Sequence, residues 1–291
     1  MPSLKEIRNR ITSVGSTMQI TSAMKMVSAA KLKRAQDAIT QLRPYAEKLQ
    51  DILGNLSATL DLSENAYSEN RVVKNVLIVG ITSNRGLCGG FNNNIIKKVN
   101  QLVNEEYKGA NPKVLCLGKK IKDVYKRTSY YYINEELAPV EDIFSSLTFE
   151  NNALIASNLM QLFTLKQFDK VVIVYNQFVN AATQLVKHEQ FLPIVSSVDD
   201  NNSNPGDYLF EPSKEEIVAD LIPKSLKIQL FKGLLDSNAA EHGARMTAMH
   251  KATDNAKELQ RNLKLSYNKA RQAAITNEIL EIVGGAEALK S

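Results

Sequence analysis

Alternating steps of four and three along the first sixty residues, from Leu4 to Leu60, meet seventeen positions, and fourteen are apolar. A mean spacing near 3.5 keeps one stripe facing a partner helix, so this segment is predicted to form a left-handed coiled coil. The exceptions are Thr21, Lys25 and Ser28, which fall together. The apolar Ile20, Met24 and Val27 stand beside them, which predicts a local shift of the seam, as in a stutter. Pro44 lacks a backbone N–H and crowds the preceding turn. A kink is expected there, or two helices meeting.

The other end of the chain carries a similar signal. Ser213-Lys214-Glu215-Glu216 reads as a capping box, with Ser213 as N-cap and Glu216 reaching back. From 214 to 283 only Gly233, Gly243 and the early Pro223 weaken the helix. Such a helix is about 105 Å long at about 1.5 Å per residue. No single domain of this chain can bury that rod, so its middle and end must be sheathed by another protein or stand in water. Stepping back from Gly284 gives a seam of Leu280, Asn277, Ala273, Ala270, Ser266, Leu263, Leu259 and Ala256. Small residues allow close helix approach but bury little apolar area. The distal coiled coil is therefore expected to be marginal alone and to need a surrounding partner.

Between the two ends the pattern changes. Asn75–Thr82, Lys113–Leu117 and Val171–Tyr175 are short β-branched apolar runs that predict buried strands, with Tyr130–Ile133 and Gln184–Pro193 as further candidates. Phe91–Tyr107, a segment through about Arg127, and Asn151–Lys166 carry helical spacing. Leu154, Leu159, Leu162 and Phe163 are expected on the inner face of the last. Alternating strands and helices predict a mostly parallel sheet wrapped by helices. The fold class is α/β plus α: a long antiparallel two-helix coiled coil from both chain ends, with an inserted Rossmann-like α/β domain. The expected division is 1–60 and 210–291 for the discontinuous shaft, 72–198 for the inserted domain, and 199–209 for a polar linker containing Asp199–Gly206.

The chain has 291 residues and a formal net charge of +5. Residues 1–34 hold seven Lys and Arg against Glu6 alone. A basic helix suits nucleic acid, an anionic surface or an acidic protein, but the chain has no Trp and no aromatics interleave with these cations. That argues against a base-stacking surface. No apolar run is long enough to span a bilayer, and the N-terminus lacks the apolar centre of a signal peptide or the look of a transit peptide. Cys88 and Cys116 sit in apolar, strand-like contexts, which fits a reduced compartment and no disulfide framework.

The Ser83–Gly90 segment, SNRGLCGG, follows a strand and precedes a helix, where a Rossmann fold keeps its phosphate loop. Its spacing is wrong for G-x-G-x-x-G, and no acid closes the second strand. A tight turn that lets helix and strand pack closely is the simpler reading. No P-loop is present. His188, His242 and His250 make no metal set with the cysteines. Met18, Met24, Met26, Met246 and Met249 read as packing residues. No catalytic, cofactor-binding or metal residue is predicted.

Ile275–Ala288, ITNEILEIVGGAEA, resembles the signature of the ATP synthase gamma subunit family. Glu241–Met249, Tyr267–Gln272, Ile20–Val27 and the Thr82–Asn92 glycine loop resemble the same family. Departures stand at Ser22, where the family has Lys, and at Asn84, where it has Asp. The resemblance implies a non-catalytic subunit, the central rotor shaft of a rotary, proton-transporting ATP synthase. Its coiled coil would sit within a ring of alpha and beta subunits, and its α/β domain would meet the epsilon subunit and the c-ring. It implies no cofactor, no nucleic acid and no small-molecule substrate. The place would be peripheral, on the cytoplasmic face of the bacterial inner membrane. It also implies beta-subunit contacts at Arg271 and Gln272, with Thr276 and Glu278 nearby, and at a second level at Met24, Lys25 and Arg245. The rival readings are a basic coiled-coil nucleic-acid-binding protein and an oxidoreductase with a helical dimerisation arm.

Overall fold

The computed structural model describes residues 3–59, 66–69, 71–133, 140–194 and 214–288. Ser213 and the polar stretch 199–206 lie outside the described residues. Two long helices open and close the chain, α1 (Leu4–Thr59) and α5 (Lys214–Ala288). Between them lie strands β1 (Asn75–Ile81), β2 (Asn111–Leu117), β3 (Lys170–Phe178) and β4 (Gln184–Leu192). The intervening helices are α2 (Phe91–Gln101), α3 (Lys119–Tyr125) and α4 (Phe149–Thr164). α2 runs on into one π-helical turn, Leu102–Glu106.

The chain forms two compact units, one of Met1–Ser28 with Met246–Ser291 and one of Ala29–Arg245. The second holds a four-stranded sheet in the order β2-β1-β3-β4. β1 pairs in parallel with β2 and β3, and β4 returns antiparallel as an edge strand. Period-two alternation sends the strand side chains to two faces. Leu77, Val79, Leu115, Ile173 and Tyr175 meet α4 and the Ile222–Leu234 stretch of α5 on one face. Val76, Ile78, Val114, Val172 and Val174 meet α2 and α3 on the other. Both faces are covered, which explains why the central strands are continuous apolar runs.

Two expectations are corrected here. Tyr130–Ile133 is not a strand. It makes a single bridge from Tyr131 to Val114, with the Val114 N–H donating to the Tyr130 carbonyl at 2.7 Å. Leu154 is 66% exposed, and Ile155 takes the inward position with Leu159 and Phe163. Leu154 lies five residues from Leu159, roughly 140° around the helix, so both cannot face the sheet. A single helix runs through Pro44, so two helices do not meet there. Pro44 and Thr40 are both exposed, on the outer side of the helix.

Candidate functional site

Within the first unit, α1 and α5 pair antiparallel. The Arg8 Nη2 donates to the Tyr267 hydroxyl at 2.9 Å. A Cβ on Gly15 would stand 2.9 Å from the Gln260 Nε2. The Thr253 hydroxyl donates to the Thr21 Oγ1 at 2.9 Å. As the α1 number rises by about a heptad the α5 number falls by the same amount, which is the register of an antiparallel coiled coil.

This register corrects both seams read from the sequence. On α1 there is no stutter: Ile7, Thr21 and Ser28 are buried, while Ile20 and Val27 are 61% and 57% exposed. The hydroxyls stay in the seam because each is satisfied there. Thr21 donates to the Met18 carbonyl at 3.1 Å and Ser28 to the Met24 carbonyl at 2.7 Å. On α5 the inward positions are Met249, Thr253, Ala256, Gln260, Leu263, Tyr267, Ala270 and Ala274. Ala256, Leu263 and Ala270 were expected, but Leu259, Ser266 and Ala273 are exposed. Gln260 and Tyr267 replace them because Gly15 and Arg8 stand opposite, one leaving room and the other offering a donor. The seam is thus less uniformly small than its sequence suggested.

Beyond Ala274, every residue from Ile275 to Ala286 is exposed. Ile275, Ile279, Leu280, Ile282 and Val283 are large apolar side chains among them. Isolated exposed leucines are ordinary, but a run of this kind marks an interaction surface. Arg271, Gln272, Thr276 and Glu278 lie exposed on this end of α5, with the Thr276 hydroxyl donating to the Gln272 carbonyl at 2.9 Å. Met24 and Lys25 are half-buried on α1, near the exposed Ile20, Met26 and Val27.

Arg245 differs from these six. It belongs to the Ala29–Arg245 unit and is buried. Its Nη1 donates to the Glu241 carboxylate at 2.6 Å, and its Nη2 to the carbonyls of Arg85 and Gly86 at 3.3 and 3.4 Å. Burial pushes the Glu241 carboxyl up, and the Arg245 charge draws it back. His242 lies beside the pair, its Nδ1 3.5 Å from the Arg245 Nη1. Burial, Arg245 and Lys31 lower it to about 4, so it is neutral at physiological pH. Cys88, Phe91, Ala240 and Ala244 form a small apolar cluster beneath. A Cβ on Gly243 would come within 3.2 Å of the Ala181 Cα, so a side chain there would push the β3–β4 turn back by a few tenths of an ångström.

The glycine loop folds on itself. The Ser83 hydroxyl donates to the Arg85 carbonyl at 2.6 Å, and the Asn92 Nδ2 donates to the Ser83 Oγ at 2.8 Å. Gly118 has φ +114, and a Cβ there would strike the Thr82 carbonyl. Gly118 thus supplies a close approach between the β2–α3 corner and Thr82, whereas a Cβ on Gly86 or Gly89 would meet nothing within 4 Å, so those two glycines of the 83–90 loop are not there for close packing. Leu87 has φ +64 and is 63% exposed. A non-glycine residue in that region costs about 1–2 kcal/mol. Sequence reasoning missed this loop's partners. The i,i+4 spacing of Glu241 and Arg245 among Ala240, Gly243 and Ala244 was the available signal. Among the described residues no three metal-ligating side chains cluster, and no helix is long and apolar enough to cross a membrane.

A family model described as ATP synthase matches residues 3–289. The chain is 62% identical over 290 residues to the ATP synthase gamma chain of Christiangramia forsetii, covering 99% of each. It is likewise 62% identical over 291 residues to that of Flavobacterium psychrophilum, covering 100% of each. Among solved structures it resembles a chain in the Tetrahymena thermophila mitochondrial ATP synthase central stalk and c-ring, with a TM-score of 0.57 and 25% identity over 80% of this chain and 99% of that one. A chain in the Euglena gracilis mitochondrial ATP synthase rotor shares the fold, with a TM-score of 0.64 and 20% identity over 94% of this chain and 98% of the other. With the paired end helices and the inserted α/β sheet, these likenesses make the chain a member of the ATP synthase gamma chain family.

Proposed function

We propose that this chain is the central rotor shaft of a rotary ATP synthase, a non-catalytic subunit that couples ion-driven rotation to conformational change in the catalytic subunits. The observation that carries the mechanical reading is the exposed apolar run from Ile275 to Val283 at the end of α5. A lone helix end with this much apolar surface needs a sleeve. The alpha and beta subunits supply it. Arg271, Gln272, Thr276 and Glu278 face beta-subunit loops at the tip, and Met24 and Lys25 do so at a second level. Arg245, with its donors directed at its own chain, acts at that level through the loop it holds.

In this reading 1–60 and 210–291 serve as the shaft, 72–198 as the inserted domain that meets the epsilon subunit and the c-ring, and 199–209 as their linker. The assembly lies on the cytoplasmic face of the bacterial inner membrane. Exposed ion pairs between shaft and sleeve are worth only about 0–1 kcal/mol each, so no angular position becomes a trap. The nucleic-acid alternative finds no support among the family likenesses, and Arg8 and Arg10 already bond to Tyr267 and Glu6.

Co-purification tests the role. The chain should elute with alpha and beta as one species, and removal of about the last twenty residues should weaken it, because that segment holds the exposed run. A monomer indifferent to both subunits sinks the reading. Replacing Arg271 and Gln272 together by Ala should lower ATP synthesis with assembly retained. Wild-type synthesis in that variant removes the contact assignment while leaving the rotor role standing.

A further inference from the structure

Leu87 is strained and exposed at once. Bulky residues avoid positive φ unless their surroundings over-determine it, and such outliers point to function. Two restraints bracket Leu87. On its C-terminal side, Cys88 is buried at 1% exposure against Phe91, Ala240 and Ala244. On its N-terminal side, the carbonyls of Arg85 and Gly86 accept from the Arg245 guanidinium, which Glu241 holds at 2.6 Å, and the Arg85 carbonyl also accepts from the Ser83 hydroxyl at 2.6 Å. A guanidinium can bridge a carboxylate and two carbonyls because its donors form a fixed planar fork. Nothing stands within 4 Å of where a Gly86 Cβ would be, so side-chain packing at Gly86 does not hold the turn.

We infer that Arg245, oriented by Glu241, is the positioning residue of the Arg85–Gly86–Leu87 turn, and that this clamp on α5 holds Leu87 in its left-handed conformation with its side chain presented to solvent. The clamp ties the loop after β1 to the turn of α5 that also receives the β3–β4 connection. Leu87 is therefore displayed on a pre-set loop rather than a mobile one. Release of the clamp lets Leu87 relax to negative φ, and the strain it carried drives the turn away from α5. Cys88, bonded to this turn through the Arg85 carbonyl at 3.9 Å and the Asn92 Nδ2 at 3.2 Å, is then uncovered.

The two cysteines make this measurable. Cys88 lies in the clamped loop, and Cys116 is buried in β2 as an internal control. The full chain carrying Glu241→Leu with Arg245→Met replaces the pair by apolar side chains of similar volume, which keeps α5 packed without leaving a lone charge. N-ethylmaleimide should label Cys88 about tenfold faster or more in this variant, with Cys116 unchanged, as expected for local opening. Adding Leu87→Asn, a residue that accepts positive φ, should bring Cys88 labelling back toward the wild-type rate. Unchanged Cys88 labelling overturns the inference. So does equal acceleration of both cysteines, which would report general loosening, and so does a failure of Leu87→Asn to slow the labelling. These readouts use the isolated chain, so their failure leaves the rotor role untouched.

Discussion

The Thr253 hydroxyl donates to the Thr21 Oγ1 at 2.9 Å across the two helices of the coiled coil, at a seam position that is 9% exposed on α1. Thr21 gives its own proton to the Met18 carbonyl, and the single Thr253 proton is shared between the Thr21 Oγ1 and the Met249 carbonyl at 2.8 Å. A polar pair inside an apolar seam favours this register, because sliding one helix past the other loses the cross-helix bond and leaves each hydroxyl only its own-helix carbonyl. Replacing Thr21 alone by Val should destabilise the chain by about 1 kcal/mol. Replacing Thr21 and Thr253 together by Val should be within about 0.5 kcal/mol of wild type, since no buried hydroxyl then lacks its cross-helix partner. Urea denaturation of both variants checks the difference, and equal losses would remove the register role.

Gly15 faces the tip of Gln260, a flexible side-chain end. A methyl group displaces that tip at little cost, and alanine favours the helix by about 0.5–1 kcal/mol over glycine. Gly15→Ala should therefore raise the denaturation midpoint. Gly15→Leu should lower it, because the larger side chain cannot fit beneath Gln260. A midpoint that falls for alanine as well would mean that the helices approach too closely here for any Cβ.

Asp236 is fully buried on α5, with neither carboxylate oxygen in a hydrogen bond of good geometry and Ser237 Oγ also unpaired. The nearest cation, the Arg43 Nη2, is 4.0 Å away. Burial pushes the Asp236 carboxyl up; Arg43, Lys232 and the Phe178 N–H pull it back, and Glu189 adds to the rise. A raised carboxyl pKa gives stability that is present below the unfolded value and is lost as pH rises through the folded one. Asp236→Asn should therefore stabilise the chain at pH 7 by about 1 kcal/mol and flatten its pH dependence above the ordinary carboxylate range. A loss of stability at pH 7 would show that the charged form is the one the fold prefers.

His242 carries the opposite sign. Its pKa falls from 6.5 to about 4 because burial, Arg245 and Lys31 all oppose protonation. Below pH 6.5 the unfolded chain takes up a proton that the folded chain refuses. Stability should decline as pH falls from about 6.5 toward 4, and His242→Gln should reduce that decline. Titration of the His242 ring by NMR gives the direct check; an unshifted midpoint near 6.5 would remove the effect.

The chain's own pattern determined a good deal. The seam from Leu4 onward, the apolar runs at Asn75–Thr82 and Val171–Tyr175, and the absence of a P-loop were all legible, because repeat period and motif spacing are local properties. Phase was not. A leucine at 154 or 259 satisfies a helical repeat as well as its neighbour does, and only the partner surface decides which one turns inward. Thr21 and Ser28 looked like breaks in the seam because they are polar by type, whereas each returns its proton to a carbonyl three or four residues back on its own helix and can then be buried. For Arg245 the spacing could show Glu241 one turn back, but not the loop. Its partners, the carbonyls of Arg85 and Gly86, are backbone atoms about 160 residues away in sequence, carried to α5 by the β1 strand they follow. Long-range packing alone placed that loop on the helix, and with it the strained Leu87.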